Sequence, residues 1–192
     1  MFVVPLWVGQ FDSHAECKDK YINSLNEYFG NNSLVSETLD YNTVYTKSIL
    51  HVDSTYSELI NYIFEKSPDI LTEINVDSTC TLGIDQMKAA ISEKGGTIPE
   101  NYETSTILKG FYFLQTPPGS GDLSIRLDIA DRSYFDLIKT KESNTLNTNH
   151  ITFPIPEGTV LIMPSHLTTG ITSNLSDAQR MIFSFNLKLF TQ

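Results

Sequence analysis

Two short clusters in this chain carry residue types that could do chemistry together. His51-Val52-Asp53 places an imidazole and a carboxylate two residues apart, and His166 stands fourteen residues before Arg180. Two imidazoles and a carboxylate can grip one face of a divalent first-row metal and leave its other positions open. An arginine beside such a site can take a carboxylate through both branches of its guanidinium. The local spacing supplies a plainer origin for each. Asp53 and Ser54 stand immediately before a helical pattern, where Asp or Ser is the expected cap, so His51 reads as the neighbour of a helix start. His166 reads as a turn histidine, and Arg180 as a charge on the polar face of a strand, paired with an acid.

Other familiar site chemistries find no footing. Gly119-Ser120-Gly121 lacks the spacing and the lysine of a phosphate-binding loop. The four histidines and two cysteines show no zinc-finger spacing, and no Gly-x-Ser-x-Gly nucleophile turn occurs.

The elements that must position these residues divide the chain in two. Residues 2–8 are β-branched and aromatic and predict a buried strand ending at Gly9. From Ser13, a candidate N-cap, to Phe29, the residues Tyr21, Ile22, Leu25 and Phe29 recur at helical spacing, and Gly30 stops the helix. A second helix is expected from Ser54 to Lys66, with Leu59, Ile60 and Ile63 on one stripe and Pro68 just beyond its end. Residues 69–76 are ambiguous. After Thr79 the texture turns to strands, at 80–93, 106–115, 121–129, 150–153, 159–163 and 180–190, with loops at Gln115–Gly121 and 140–149. In the last strand Met181, Phe183, Phe185, Leu187 and Leu189 share one face. Arg180, Ser184, Asn186 and Lys188 share the other, interrupted by Ile182.

Length and charge narrow the classes further. A chain of 192 residues suits one domain, 1–192, with a helical N-terminal part (1–79) packed on a β-rich body (80–192). A formal charge of -10 without a basic stripe argues against nucleic acid or an anionic membrane as partner. Cys17 and Cys80 form no Cys-x-x-Cys pair, which fits a reduced intracellular setting. The opening apolar run lacks a basic n-region or a cleavage site, so it is read as a strand and not as a signal peptide. No apolar run is long enough to span a bilayer.

Three blocks then carry a resemblance. They are Ser92-Glu93-Lys94-Gly95-Gly96-Thr97-Ile98-Pro99-Glu100 followed by Gly110-Phe111-Tyr112-Phe113-Leu114; Pro154-Ile155-Pro156-Glu157-Gly158 running to Met163-Pro164-Ser165; and Arg180-Met181-Ile182-Phe183-Ser184-Phe185-Asn186. In that order they resemble the small Fe(II)/2-oxoglutarate oxygenase-like proteins common in marine bacteria and their phages. The resemblance implies a mainly β fold with N-terminal helices, a double-stranded β-helix or jelly-roll-like barrel. Carried over position by position, it places the metal-binding pair on Asn101 and Glu103, the distal histidine on Thr169 and the co-substrate arginine on Arg180. The arginine's usual companion serine is Ile182 here.

Neutral amide and hydroxyl oxygens are poor Fe(II) ligands beside imidazole, and one carboxylate makes no tight site. The expectation is therefore an oxygenase fold without its metal, a pseudoenzyme with no cofactor. Its role would be structural or protein-interacting, with other virion proteins or further copies of itself as partners, in the cytoplasm or a phage virion. The alternative is a working Fe(II)/2-oxoglutarate dioxygenase using Glu103 with His166, or the set His51, Asp53 and His166. A third reading is a small-molecule binding module that kept Arg180 and lost redox chemistry.

Overall fold

The computed structural model describes residues 5–30, 37–39, 42–126 and 150–191. Its elements run β1 (Trp7–Gln10), α1 (His14–Gly30), β2 (Glu37–Leu39), β3 (Thr43–Tyr45), α2 (Ser57–Glu73), β4 (Cys80–Ser92), β5 (Ile98–Asn101), β6 (Leu108–Gln115), β7 (Leu123–Arg126), β8 (His150–Phe153), β9 (Thr159–Pro164), β10 (Thr168–Ile171) and β11 (Arg180–Thr191). The predicted segments 127–129 and 140–149, and residues 2–4 of the first strand, lie outside the described residues.

Helix α1 begins where Ser13 predicted, the Ser13 carbonyl accepting the first helical bond from Cys17 N at 3.0 Å. Its buried residues Cys17, Tyr21 and Leu25 fall four apart, one face of a 3.6-residue repeat. Helix α2 departs from expectation at both ends. A single 3₁₀ turn, Ser54–Tyr56, precedes it, and Pro68 lies inside it. Pro68 removes one helical donor, yet Ile70 continues the buried stripe of Leu59, Ile63 and Ser67, and that burial carries the helix past the proline.

The strands form two antiparallel sheets, ordered β1-β9-β6-β11-β4-β3-β2 and β5-β10-β7-β8. From β4 to β11 the chain crosses repeatedly between the sheets, with β7 and β8 consecutive and paired within the smaller one. That is the winding of a double-stranded β-helix, with the two sheets face to face and no continuous closed barrel. The fold class is the expected one. The larger sheet is covered on both faces, which is why all seven residues Leu108–Leu114 of β6 are buried. One face packs on the helices through Leu108, Tyr112, Leu114, Phe183, Phe185 and Leu187. There the ring of Tyr56 lies 5.2 Å from those of both Tyr21 and Phe183, tilted to the first and edge-on to the second. The other face meets the smaller sheet through Phe111, Phe113, Leu161, Met163 and Ile182, opposite Leu123, Ile125 and Ile171.

That second layer corrects the reading of β11. The face bearing Arg180, Ser184 and Asn186 turns inward, toward the other sheet, and Arg180 is only 1% exposed. Ile182, the apparent interruption, belongs to the inter-sheet core.

Two neighbouring strands approach so closely at Gly110 that a side chain there has no room. A Cβ would meet the ring of Phe185 and sit 2.8 Å from the Leu161 carbonyl oxygen. Gly110→Ala is expected to cost about 1–3 kcal/mol, the range for overpacking a filled core. Urea denaturation reads this directly, and an unchanged midpoint would mean that the ring swings aside freely.

Candidate functional site

The inward face of the larger sheet is organised as rows of cross-strand neighbours. Asn186 pairs with Gln86 on one side and Lys109 on the other. One step along, Ser184 lies between Lys88 and Phe111; the next step sets Ile182 between Ala90 and Phe113. Over the first two rows and the start of the third lies a cleft of about 260 Å3, lined also by Tyr45, Ile98, Pro99, Asn101 and Glu103. Its floor grades from polar to apolar along β11.

Strand β5 owes its geometry to Pro99. The pairing of β5 with β10 slips by one residue between Thr169–Asn101 and Ile171–Ile98, a bulge at the proline, which has no N–H for the ladder. Past the bulge, Asn101 and Thr169 are direct partners, and Thr169 also pairs with Ile125 of the inter-sheet core. The structure thus brings together two of the three positions that the resemblance assigned to metal ligands, Asn101 lining the cleft and Thr169 paired beside it.

The groups there are not a metal-ligand set. Asn101 offers an amide. Thr169 is 1% exposed, and its Oγ1 has no hydrogen-bond partner among the described residues. Glu103 is turned to its own loop, where Oε1 accepts from Thr104 N (2.9 Å), Ser105 N (2.9 Å) and Ser105 Oγ (2.7 Å). Those bonds, led by the Ser105 amide, hold its carboxyl below the usual range. A cation of the protein's own stands beside them. Lys109 is 4% exposed, and its Nζ donates to the Leu167 carbonyl at 2.6 Å and the Asn101 carbonyl at 3.2 Å. Burial pushes its pKa down to about 8 against the milder opposing pull of Glu103, and no carboxylate lies within ion-pair reach among the described residues.

The remaining candidates fall elsewhere. Asp53 caps the 3₁₀ turn Ser54–Tyr56, its carboxylate accepting from Thr55 N at 2.8 Å. His51 sits on the preceding 3₁₀ turn, Leu50–Val52, outside the cleft, with Nδ1 buried and without a partner among the described residues. His166 is exposed in the turn between β9 and β10, where Leu167 N donates to the Pro164 carbonyl. No group of three His, Cys, Asp or Glu that could hold a metal occurs among the described residues.

Arg180 does not line the cleft and has no ion pair among the described residues. It lies six residues along β11 from Asn186, about 20 Å at strand rise. Its Nη1 donates to the carbonyls of Ser120 and Thr172 (2.7 Å for the latter), and Nη2 to Ser92 Oγ (3.0 Å) and the Gly96 carbonyl (3.1 Å). Four donors are spent tying the β4–β5 turn, the β6–β7 loop and the end of β10 to β11.

Sequence reasoning passed over Lys109. The available signal was a lysine inside the otherwise apolar run Leu108–Leu114. Iron and 2-oxoglutarate, which the resemblance implies, would meet an amide, a hydroxyl and a self-capped carboxylate at the positions it aligns with metal ligands, an ammonium beside them, and an arginine engaged elsewhere. These residues do not fit the pair.

The relationships of the chain agree with its topology. The family described as "Putative 2OG-Fe(II) oxygenase" matches residues 86–186. Among solved structures, the non-heme alpha ketoglutarate dependent epimerase SnoN of nogalamycin biosynthesis is similar, with TM-score 0.69 and 11% identity over 98% of this chain and 81% of its own. A prolyl-4-hydroxylase of Pseudomonas putida aligns with TM-score 0.63 and 7% identity, covering 97% and 94%. HygX of Streptomyces hygroscopicus, solved with nickel, 2-oxoglutarate and hygromycin B, aligns with TM-score 0.60 and 10% identity over 96% and 83%. At these identities the structural likeness speaks for the fold alone. No curated protein matches the chain. The family match spans more than half of the sequence and includes all three inward-facing rows under the cleft, so this chain belongs to the 2OG-Fe(II) oxygenase family.

Proposed function

We propose that this protein uses the oxygenase fold as a non-catalytic scaffold, acting through binding to partners and not through oxygen chemistry. One observation carries the reading: Asn101 and Thr169, which the resemblance aligns with metal ligands, are direct partners across β5 and β10, and the buried ammonium of Lys109 is bonded to that same corner. A fixed positive charge beside a place that must accept Fe(II) opposes metal entry, and the neutral oxygens there give little in return. The role is structural or protein-interacting, with other proteins or further copies of the chain as partners. A phage particle as its setting rests on the sequence resemblance alone.

Family membership favours a second reading, an Fe(II)/2-oxoglutarate dioxygenase with unusual ligands. Anaerobic titration of metal-stripped protein with Fe(II) and 2-oxoglutarate separates the two. The expected result is no saturable charge-transfer band in protein shown to be folded. A band saturating at one iron per chain would overturn the scaffold reading in favour of the dioxygenase.

A further inference from the structure

We propose that the cleft over β4, β11 and β6 is a metal-free binding site for a small monocarboxylate with an apolar tail, its head held by Lys109 and Asn186 and its tail lying toward Ile182. The proposal deepens the scaffold reading and rests on it, since a bound iron would fill the same corner.

Four observations converge. A buried charge is costly unless it is paired and hydrogen-bonded, and Lys109 has carbonyl partners but no counter-ion among the described residues. Two carbonyls engage two of its three donors, which leaves one for a ligand in the cleft that its side chain lines. The polar neighbours are uncommitted as well: the side chains of Gln86, Asn101, Ser184 and Asn186 line the cleft and make no hydrogen bond among the described residues. Charge gives the sign of the ligand. In a chain of net charge -10, this cleft holds the lysines 88 and 109 against the single carboxylate of Glu103, which is occupied by its own loop. Lys88 stands over the Tyr45 ring, 4.9 Å from its centroid, and adds to the positive field.

The floor then gives the ligand's shape. The row of Gln86, Asn186 and Lys109 is polar; two rows on, Ala90 and Ile182 are apolar, with Phe111, Ile98 and Pro99 beside them. A carboxylate at the first row and a hydrocarbon tail over the third match that gradient, across about 13 Å of strand. A second carboxylate would fall on apolar side chains, because Arg180 does not line the cleft and both its Nη groups are held by the carbonyls of Ser120, Thr172 and Gly96 beyond it. The volume of about 260 Å3 lies below the range of drug-sized pockets, which sets a short chain.

The test is calorimetric titration of the full chain with octanoate, acetate and succinate, in metal-free buffer with chelator, alongside amide chemical-shift mapping. Octanoate should bind saturably, at least about tenfold tighter than acetate or succinate, and should shift the amides of Lys109, Gly110 and Ser184. Lys109→Met, which keeps the volume and removes the charge, should lose that binding while melting cooperatively. Should Lys109→Met fail to fold, Lys88→Gln serves in its place: lost field should weaken octanoate several-fold without touching the core. The proposal falls if octanoate does not bind, if succinate binds as tightly, or if the folded lysine variants bind as the parent does. The iron titration is scored separately. A charge-transfer band there would remove the scaffold reading, whereas failure of octanoate with no band would remove only the ligand.

Discussion

Lys109→Met should change how the stability of this protein depends on pH. The amine is almost fully buried, and burial lowers its pKa from the ordinary lysine value to about 8. In the unfolded chain it binds a proton up to about pH 10.4. Between the two values the unfolded state holds more protons than the folded one, so stability rises with pH across that window. Below about pH 8 the folded protein carries the whole cost of a buried charge; above it, that cost is progressively relieved. From pH 7 to pH 9.5 the parent should gain about 2 kcal/mol relative to Lys109→Met, whose methionine titrates nowhere. Taking the difference between the two proteins cancels every other titrating group they share. Urea midpoints at four or five pH values would show the curves converging or crossing; parallel curves would mean that water reaches the amine and the burial argument is wrong. At neutral pH the methionine variant need not be weaker, since replacing a buried charge by an apolar group of similar volume is often neutral or stabilising.

Arg180 predicts a loss of comparable or greater size with the opposite character. Its guanidinium holds the hydroxyl of Ser92, its ladder partner on β4, and three carbonyl oxygens drawn from the β4–β5 turn, the β6–β7 loop and the end of β10. Arg180→Ala leaves those acceptors buried and opens a cavity, at a cost of about 3–5 kcal/mol. In a protein of ordinary marginal stability that approaches the whole margin, so the variant is best measured by denaturation at low temperature. Arg180→Lys, which retains the charge but not the planar fork, should recover only part of it. The decisive comparison is between stability and binding. If Arg180 acts on structure, Arg180→Lys should melt earlier and bind octanoate as the parent does. A variant that melts normally but loses carboxylate binding would restore the arginine to a clamp.

Much of the fold was legible along the chain because local physics dictates it. The repeat of Tyr21 and Leu25 toward Gly30 specifies a helix, and the alternation of Met181, Phe183, Phe185 and Leu187 specifies a strand with one apolar face, whatever surrounds them. Asp53 was readable as a cap for the same reason: its bond to Thr55 N spans two residues and needs no tertiary partner. What failed in the sequence reading were the segments whose conformation is imposed from outside. Helix α2 runs through Pro68 because Ile70 is buried beyond it, and the strands β5 and β10, four residues each, carry a proline or a glycine and little alternation. They are strands because the sheet pairs them, and they are the elements that set Asn101 opposite Thr169.

The character of the site divides along the same line. Sequence by itself determined that the positions aligned with metal ligands hold an amide, a carboxylate and a hydroxyl, since residue identity needs no fold. Only the tertiary structure decided which charges are buried and what they touch. It turned the polar face of β11 inward, spent Arg180 on carbonyls about 20 Å from Asn186, and set the ammonium of Lys109, sixty residues before Thr169 in the chain, beside the corner where Thr169 meets Asn101. The physical reason is that burial and pairing are properties of two sheets laid face to face, and no single strand encodes which neighbour the other sheet will bring.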